Sequence, residues 1–350
     1  MATPSKQSAA APLHGAAEII EGQVLSGRLE AAVLHVQKGA DSHLQYFGKA
    51  ASGDAIFLLA SITKPMTATA VMRLVDQGEL HLSDPVNRFI PTFADGARKD
   101  VTVLHLLNHT SGLPDQLPEN NTLRRRHAPL SEFVEHAVRT PLLFAPGERY
   151  SYQSMGILLA AEIVQRITQM PLPKYLERTV FQPLRMSNTV LGMGKLQMQD
   201  VVRSQTEAAA PESGAGAAAA KDWDWNSRYW RELGAPWGGA HGSAPDVTRF
   251  LRSFLHPAGR VLKPDTAQTM IRSHTAGKSV ERGLGFAVGP TGFGQGCSIK
   301  TFGHSGSTGT LAWSDPEADL TCVILTSLPA HLSGSTILRP VSDVISTARI

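Results

Sequence analysis

Ile56-Phe57-Leu58-Leu59-Ala60-Ser61-Ile62-Thr63-Lys64 is the stretch on which the reading of this chain turns. Its first five residues are apolar or small and suit a buried approach to a helix. Beyond it, Met66, Ala70, Val71, Leu74 and Val75 recur at three- and four-residue intervals, the period of an amphipathic helix. Residues three apart share a helical face, so the Lys64 amine can reach the Ser61 hydroxyl. Serine is a poor nucleophile until a base takes its proton. Lysine serves as that base only when burial or nearby positive charge lowers its pKa. A helix N-terminus adds unpaired N–H groups that stabilise a developing oxyanion. S-x-x-K also arises by chance as a capping serine beside a solvated lysine, so its companions decide.

The 350 residues, 42% of them hydrophobic, suffice for one large domain or two intimate ones. The net charge of +3 is a mild excess, and the only tight basic run, Arg124-Arg125-Arg126-His127, reads as a solvated loop. No aromatic residue interleaves it, which argues against nucleic acid. Cys297 and Cys322 fall in expected strands, and one optional bridge in so long a chain fits a reducing compartment. The first thirty residues lack a basic start followed by an apolar run, and no stretch reaches membrane-spanning length. A cytoplasmic protein without membrane partners is expected; its oligomeric state is not legible.

Residues 14–29 read as a helix, with Ala31–Val36 and Leu44–Phe47 as a hairpin after it. The S-x-x-K helix ends near Gly78. Helices and proline-rich loops then run to about residue 275, with Val134–Val138 and Ile157–Ile167 as the clearest helical patterns. Short strands are expected at Leu284–Val288, Ser298–Phe302, Thr308–Trp313 and Leu320–Thr326, and a helix over Ser335–Thr347. This order predicts an α/β (α+β) chain. One sheet is built from both ends (residues 1–82 and 278–350), with a mainly helical insertion (83–277) and the site in the cleft between them. Residues 205–220, rich in Ala, Gly and Glu, read as a flexible loop.

Two further segments carry chemistry. Pro146-Gly147-Glu148-Arg149-Tyr150-Ser151-Tyr152 is a turn running into a helix, and a tyrosine hydroxyl beside a lysine can exchange protons with a serine. Gly303-His304-Ser305-Gly306-Ser307-Thr308-Gly309 lies between strands, where small residues let backbone N–H groups approach a ligand.

These three segments, in this order and at these separations, resemble the serine β-lactamase and penicillin-binding-protein superfamily. The resemblance is to its class C β-lactamase-like branch, which includes family VIII carboxylesterases. Leu82-Ser83-Asp84-Pro85-Val86, Leu106-Leu107-Asn108-His109-Thr110-Ser111-Gly112-Leu113 and Gly283-Leu284-Gly285-Phe286 are similar to that branch as well. The resemblance implies a β-lactamase-like fold, an antiparallel sheet flanked by helices. It implies Ser61 as acylated nucleophile, Lys64 as proton-transfer partner and Tyr150 as general base. The backbone N–H groups of Ser61 and Ser307 would form the oxyanion hole. His304-Ser305-Gly306 would be the counterpart of K-T-G, which makes Lys300-Thr301-Phe302-Gly303 a decoy. Tyr152 would stand where lactamases carry an asparagine, and with His304, Ser305, Gly306, Leu113 and Trp237 would bind substrate.

Tyr152 in place of that asparagine, and His304 in place of a permanently charged lysine, both weaken recognition of a penicillin or a peptide carboxylate. Acyl transfer on a less anionic ester is therefore the expected function, with a small-molecule substrate and no cofactor. A β-lactamase, a DD-peptidase or D-aminopeptidase, and a non-catalytic binding protein of the same fold are the alternatives. No serine has the G-x-S-x-G context of an α/β-hydrolase. Among the thirteen histidines no metal-binding spacing stands out; His105 and His109 sit four apart without an evident third ligand, so no metal is expected. Trp223, Trp225, Trp230, Trp237 and Tyr229 crowd a region that either lines the cleft or packs in the helical core.

Overall fold

Alternating side chains at the two ends of the chain meet in one sheet. The computed structural model describes residues 10–209 and 214–348. Within it, β1 (Ala31–Lys38) and β2 (Asp41–Gly48) form the N-terminal hairpin. A small second sheet joins β3 (Phe57–Leu58), β4 (Val190–Leu191) and β5 (Ala240–Gly242), with β5 in the middle. The C-terminal part supplies β6 (Ala287–Val288), β7 (Phe302–Gly306), β8 (Thr310–Asp315) and β9 (Leu320–Thr326). The large sheet runs β2-β1-β9-β8-β7-β6, antiparallel at every pairing. The first and last strands of the chain's core therefore lie side by side, Ala32 opposite Thr326.

Strand periodicity divides the core into two layers. Leu34, Cys322 and Ile324 face helices α1 (Ala10–Leu25) and α5 (Arg339–Thr347), joining Ala16, Ile20, Val341 and Ile345 in one cluster. Val33, Val323 and Leu325 face the other way, into the cluster shared with α2 (Thr63–Gln77), α3 (Ser154–Thr168) and α4 (Ala244–Leu255). Both faces are covered over the central strands, whereas the edge strand β2 is exposed at every residue but Phe47. This is the antiparallel sheet flanked by helices that the resemblance implied.

Several local expectations need correcting. The first helix begins at Ala10 and stops at Leu25. Ser298–Phe302 is not a strand: Ser298 N and Oγ both donate to the Asp315 carboxylate (2.7 and 2.6 Å), which ties a turn, and β7 starts only at Phe302. Cys297 precedes that turn, Cys322 is on β9, and both are free thiols. The 205–220 stretch is partly packed: Thr206, Ala209 and Ala220 are buried, while residues 210–213 lie outside the described residues. Among the described residues no helix is long and apolar enough to cross a membrane.

Candidate active site

Leu58 and Leu59 are fully buried, and the chain leaves them through a forced turn. Ala60 has φ 47°, in the left-handed region that residues with a Cβ rarely occupy. Neighbouring strands impose it: Leu59 N donates to Ala240 O (2.8 Å), Thr308 Oγ1 to Leu58 O (2.7 Å) and Thr310 Oγ1 to Leu59 O (3.0 Å). Such strain persists only where the surroundings over-determine it. Ser61 follows in a single 3₁₀ turn, Ala60–Ile62, that runs directly into α2. Its N–H thus belongs to the start of a helix, where backbone donors lack intrahelical partners.

One helical turn on, Lys64 is fully buried. Its Nζ donates to Ser61 Oγ (2.9 Å) and to the Trp237 carbonyl (2.9 Å). Burial away from water brings its pKa down to about 7; the nearby Asp115 carboxylate opposes the shift and the Arg282 guanidinium adds to it. A large fraction of Lys64 is therefore neutral near pH 7, with a lone pair free to accept the serine proton.

The tyrosine beside this pair is Tyr152, not Tyr150. Tyr152 is hydrogen-bonded to Ser61 through its side chain, and Lys64 Nζ lies 4.8 Å from the centre of its ring. Tyr150 looks elsewhere: its hydroxyl accepts from Arg282 Nη2 (2.9 Å) and Nε (3.2 Å). The two tyrosines are two positions apart, yet their hydroxyls end on different partners, Tyr150 on Arg282 and Tyr152 on Ser61. The segment is cradled by the 106–113 stretch: Gly147 N donates to Thr110 O (2.8 Å), Ser151 N to His109 O (3.0 Å) and Gln153 N to His109 Nδ1 (3.2 Å). The motif thus reads Tyr152-Gln153-Ser154, with Ser154 in the asparagine's place, its Oγ donating to Asp115 Oδ1 (2.6 Å). Burial raises the Tyr152 pKa, only partly countered by its bond to Ser61. The phenol therefore stays protonated near neutrality.

β7 comes close on the other side. A Cβ on Gly306 would sit 2.5 Å from the Leu59 carbonyl oxygen, so only glycine lets this strand meet the Ser61 turn. Ser307 then faces the same cavity of about 130 Å³ as Ser61, Tyr152, Trp225, Trp230 and Trp237. Arg124 is on a short helix (Asn120–Arg125), not in a solvated loop; it is buried, 4.0 Å above the Trp230 ring. Trp223 is buried away from this cavity, and Tyr229 donates to Ala128 O (2.8 Å). Leu113 is fully buried in the core and forms no wall.

His304 does not point at Ser61. Its ring is buried, with Nδ1 2.7 Å from Ser305 O and Nε2 3.5 Å from Arg282 Nη1. Burial first, then Arg282 and Lys64, hold its pKa well below the usual histidine range, so it is neutral. With Ser305 it lines a larger cavity, of about 610 Å³, under the 278–293 loop. Lys300 is exposed and 3.3 Å from Glu317, a surface ion pair. His105 accepts from Thr102 N through Nδ1, and His109 accepts from Gln153 N through Nδ1 while its Nε2 is buried without a partner; among the described residues no three His, Cys, Asp or Glu side chains could hold a metal. Arg282 was missed from the sequence. It immediately precedes the Gly283-Leu284-Gly285-Phe286 segment, but nothing in the spacing says that it reaches Tyr150.

A family model described as Beta-lactamase matches residues 16–336. Esterase EstB of Burkholderia gladioli is 34% identical over 271 residues, 69% of this chain and 67% of that protein. Among solved structures, EstCE1, a hydrolase with promiscuous acyltransferase activity, superposes with a TM-score of 0.78 at 24% identity, covering 97% and 99% of the two chains. A D-amino acid amidase from Ochrobactrum anthropi SV3 does so with a TM-score of 0.73 at 22% identity, covering 96% and 97%. At these identities the two structures speak for the fold.

Proposed function

Because the chain belongs to the beta-lactamase family and is a serine hydrolase of that fold, we propose that it cleaves carboxylic esters through an acyl-enzyme on Ser61. The observation that carries this reading is the buried Lys64 amine, brought down to about pH 7 and bonded to a serine that Tyr152 also contacts. The likeness to Esterase EstB and the loss of the asparagine of the antibiotic-binding motif support ester over lactam.

In this mechanism Ser61 Oγ attacks the ester carbonyl as its proton passes to Lys64 Nζ. The tetrahedral oxyanion sits between the N–H groups of Ser61 and Ser307. The alkoxide leaves with a proton delivered through the Tyr152 hydroxyl, which Lys64 replenishes. Water then attacks the acyl-serine, giving its proton to Lys64 through the same hydroxyl; the acid departs and Ser61 regains its hydrogen. The small cavity, where Trp225, Trp230 and Trp237 stand beside Asp115, Gln116 and Arg124, suits a short acyl group.

The test is parallel turnover of a p-nitrophenyl butyrate and a chromogenic cephalosporin, with intact-mass detection of a phosphonate adduct. Ester turnover and a single adduct, both lost in Ser61→Ala, are expected. Cephalosporin turnover outpacing the ester by orders of magnitude refutes the ester reading, and an unchanged protein mass refutes the nucleophile.

A further inference from the structure

The cavity under the 278–293 loop is larger than the one beside Ser61 and holds a cation that the catalytic steps do not use. Arg282 lines it together with Lys278, Ser279, Glu281, Gly289 and Ser305. The guanidinium is half-buried, and among the described residues no carboxylate lies within ion-pair distance of it. Its protein contacts are neutral. Nε and Nη2 share the Tyr150 hydroxyl, and Nη1 lies near the neutral His304 ring. A guanidinium has five N–H donors, so these contacts leave donors over. A half-buried charge with only neutral partners keeps much of its desolvation cost uncompensated, and an anion of planar geometry is the natural complement.

Position says which part of a substrate would carry that anion. The Arg282 guanidinium carbon is 5.3 Å from the Tyr152 ring centre, and Lys64 Nζ is 4.8 Å from the same centre. Tyr152 is the residue through which the departing alcohol receives its proton, so the leaving group lies on this side. The tryptophan-lined cavity takes the acyl group. Glu281 is the one carboxylate lining the larger cavity, and it is exposed, whereas Lys278 is drawn inward to Gly147 O (2.7 Å) and Glu148 O (3.2 Å). We propose that Arg282 is a specificity-determining residue that binds a carboxylate on the alcohol portion of the substrate. The preferred substrates are then esters of hydroxy acids, and the cation absent from position 304 is supplied from a different element. This rests on the ester reading for its kinetics but not for its binding.

Two measurements test it. The first compares kcat/KM for 4-acetoxybenzoate and for its methyl ester, each divided by its rate of alkaline hydrolysis. A preference for the anionic ester is expected in the native protein, falling roughly 10- to 100-fold in Arg282→Gln and partly restored in Arg282→Lys. Equal normalised rates, or a preference untouched in Arg282→Gln, overturn the proposal. The second measures binding of 4-acetamidobenzoate, a non-hydrolysable stand-in, to Ser61→Ala protein by calorimetry. Binding that is stronger than that of the methyl ester and lost in Arg282→Gln supports the subsite even if neither ester is turned over, in which case the ester reading alone fails. Equal binding of acid and methyl ester overturns the subsite.

Discussion

Tyr150 and Tyr152 differ by two positions, and the geometry assigns them opposite consequences on mutation. Tyr152→Phe removes the hydroxyl that contacts Ser61 and that, in the proposed mechanism, passes protons between Lys64 and the leaving group. A positioned acid–base group contributes about 10²–10⁴ in rate, so kcat should fall in that range. Tyr150→Phe removes only the acceptor of two Arg282 bonds, on a side chain that is not fully buried. The guanidinium can rehydrate, and a loss of no more than about tenfold is expected. Substrate choice sharpens the comparison. p-Nitrophenolate leaves without a proton, whereas ethoxide does not, so the Tyr152→Phe defect should be larger for ethyl butyrate in a pH-stat than for p-nitrophenyl butyrate by spectrophotometry. Melting curves recorded alongside separate catalysis from folding. A Tyr150→Phe variant more impaired than Tyr152→Phe on both esters would refute the register deduced here.

Further outcomes follow from Lys64 and β7. kcat/KM should rise with pH through an acidic limb near 7 as the Lys64 ammonium loses its proton, and Arg282→Gln, by removing a positive neighbour, should move that limb to higher pH. The same depressed pKa is a stability statement. The burial penalty of the ammonium is complete below the folded value of about 7 and vanishes as pH rises to the unfolded value of 10.5. Lys64→Met should therefore gain most over the native protein at pH 6 and progressively less toward pH 10 in urea titrations. Gly306→Ala forces β7 away from Leu59 O; a shift of about 1 Å between Ser307 and Ser61 costs on the order of 10²-fold in kcat, with a lowered melting temperature.

What could be read in the sequence was whatever a periodic pattern or a local spacing specifies. Ser61 and Lys64 were legible because three residues on a helix fix a distance. β9 was legible because Leu320–Thr326 is an unbroken run of strand formers. The tyrosine was misread by two residues because an extended segment presents Tyr150 and Tyr152 as equals. Only the bonds from Gly147, Ser151 and Gln153 to the 109–110 backbone and ring decide which of them faces the serine. Arg124 looked solvated because its neighbours are arginines, and the tryptophan that covers it is more than a hundred residues away. His304 looked like a substrate-binding residue because the motif places it on the right strand; its burial against Arg282 is a tertiary fact.

The pairing of β1 with β9 has a consequence for how the protein is made. On the ribosome, the N-terminal hairpin emerges long before residues 320–326, and until then the inner edge of β1 has no partner to satisfy its backbone. Ser61 likewise waits for Ser307 before the proposed oxyanion hole can form. Contacts so distant along the chain are slow to form, and an open apolar strand edge invites association with other chains meanwhile. Activity should therefore appear only after release of the finished polypeptide, and nascent chains stalled before residue 320 should be the species that recruits chaperones.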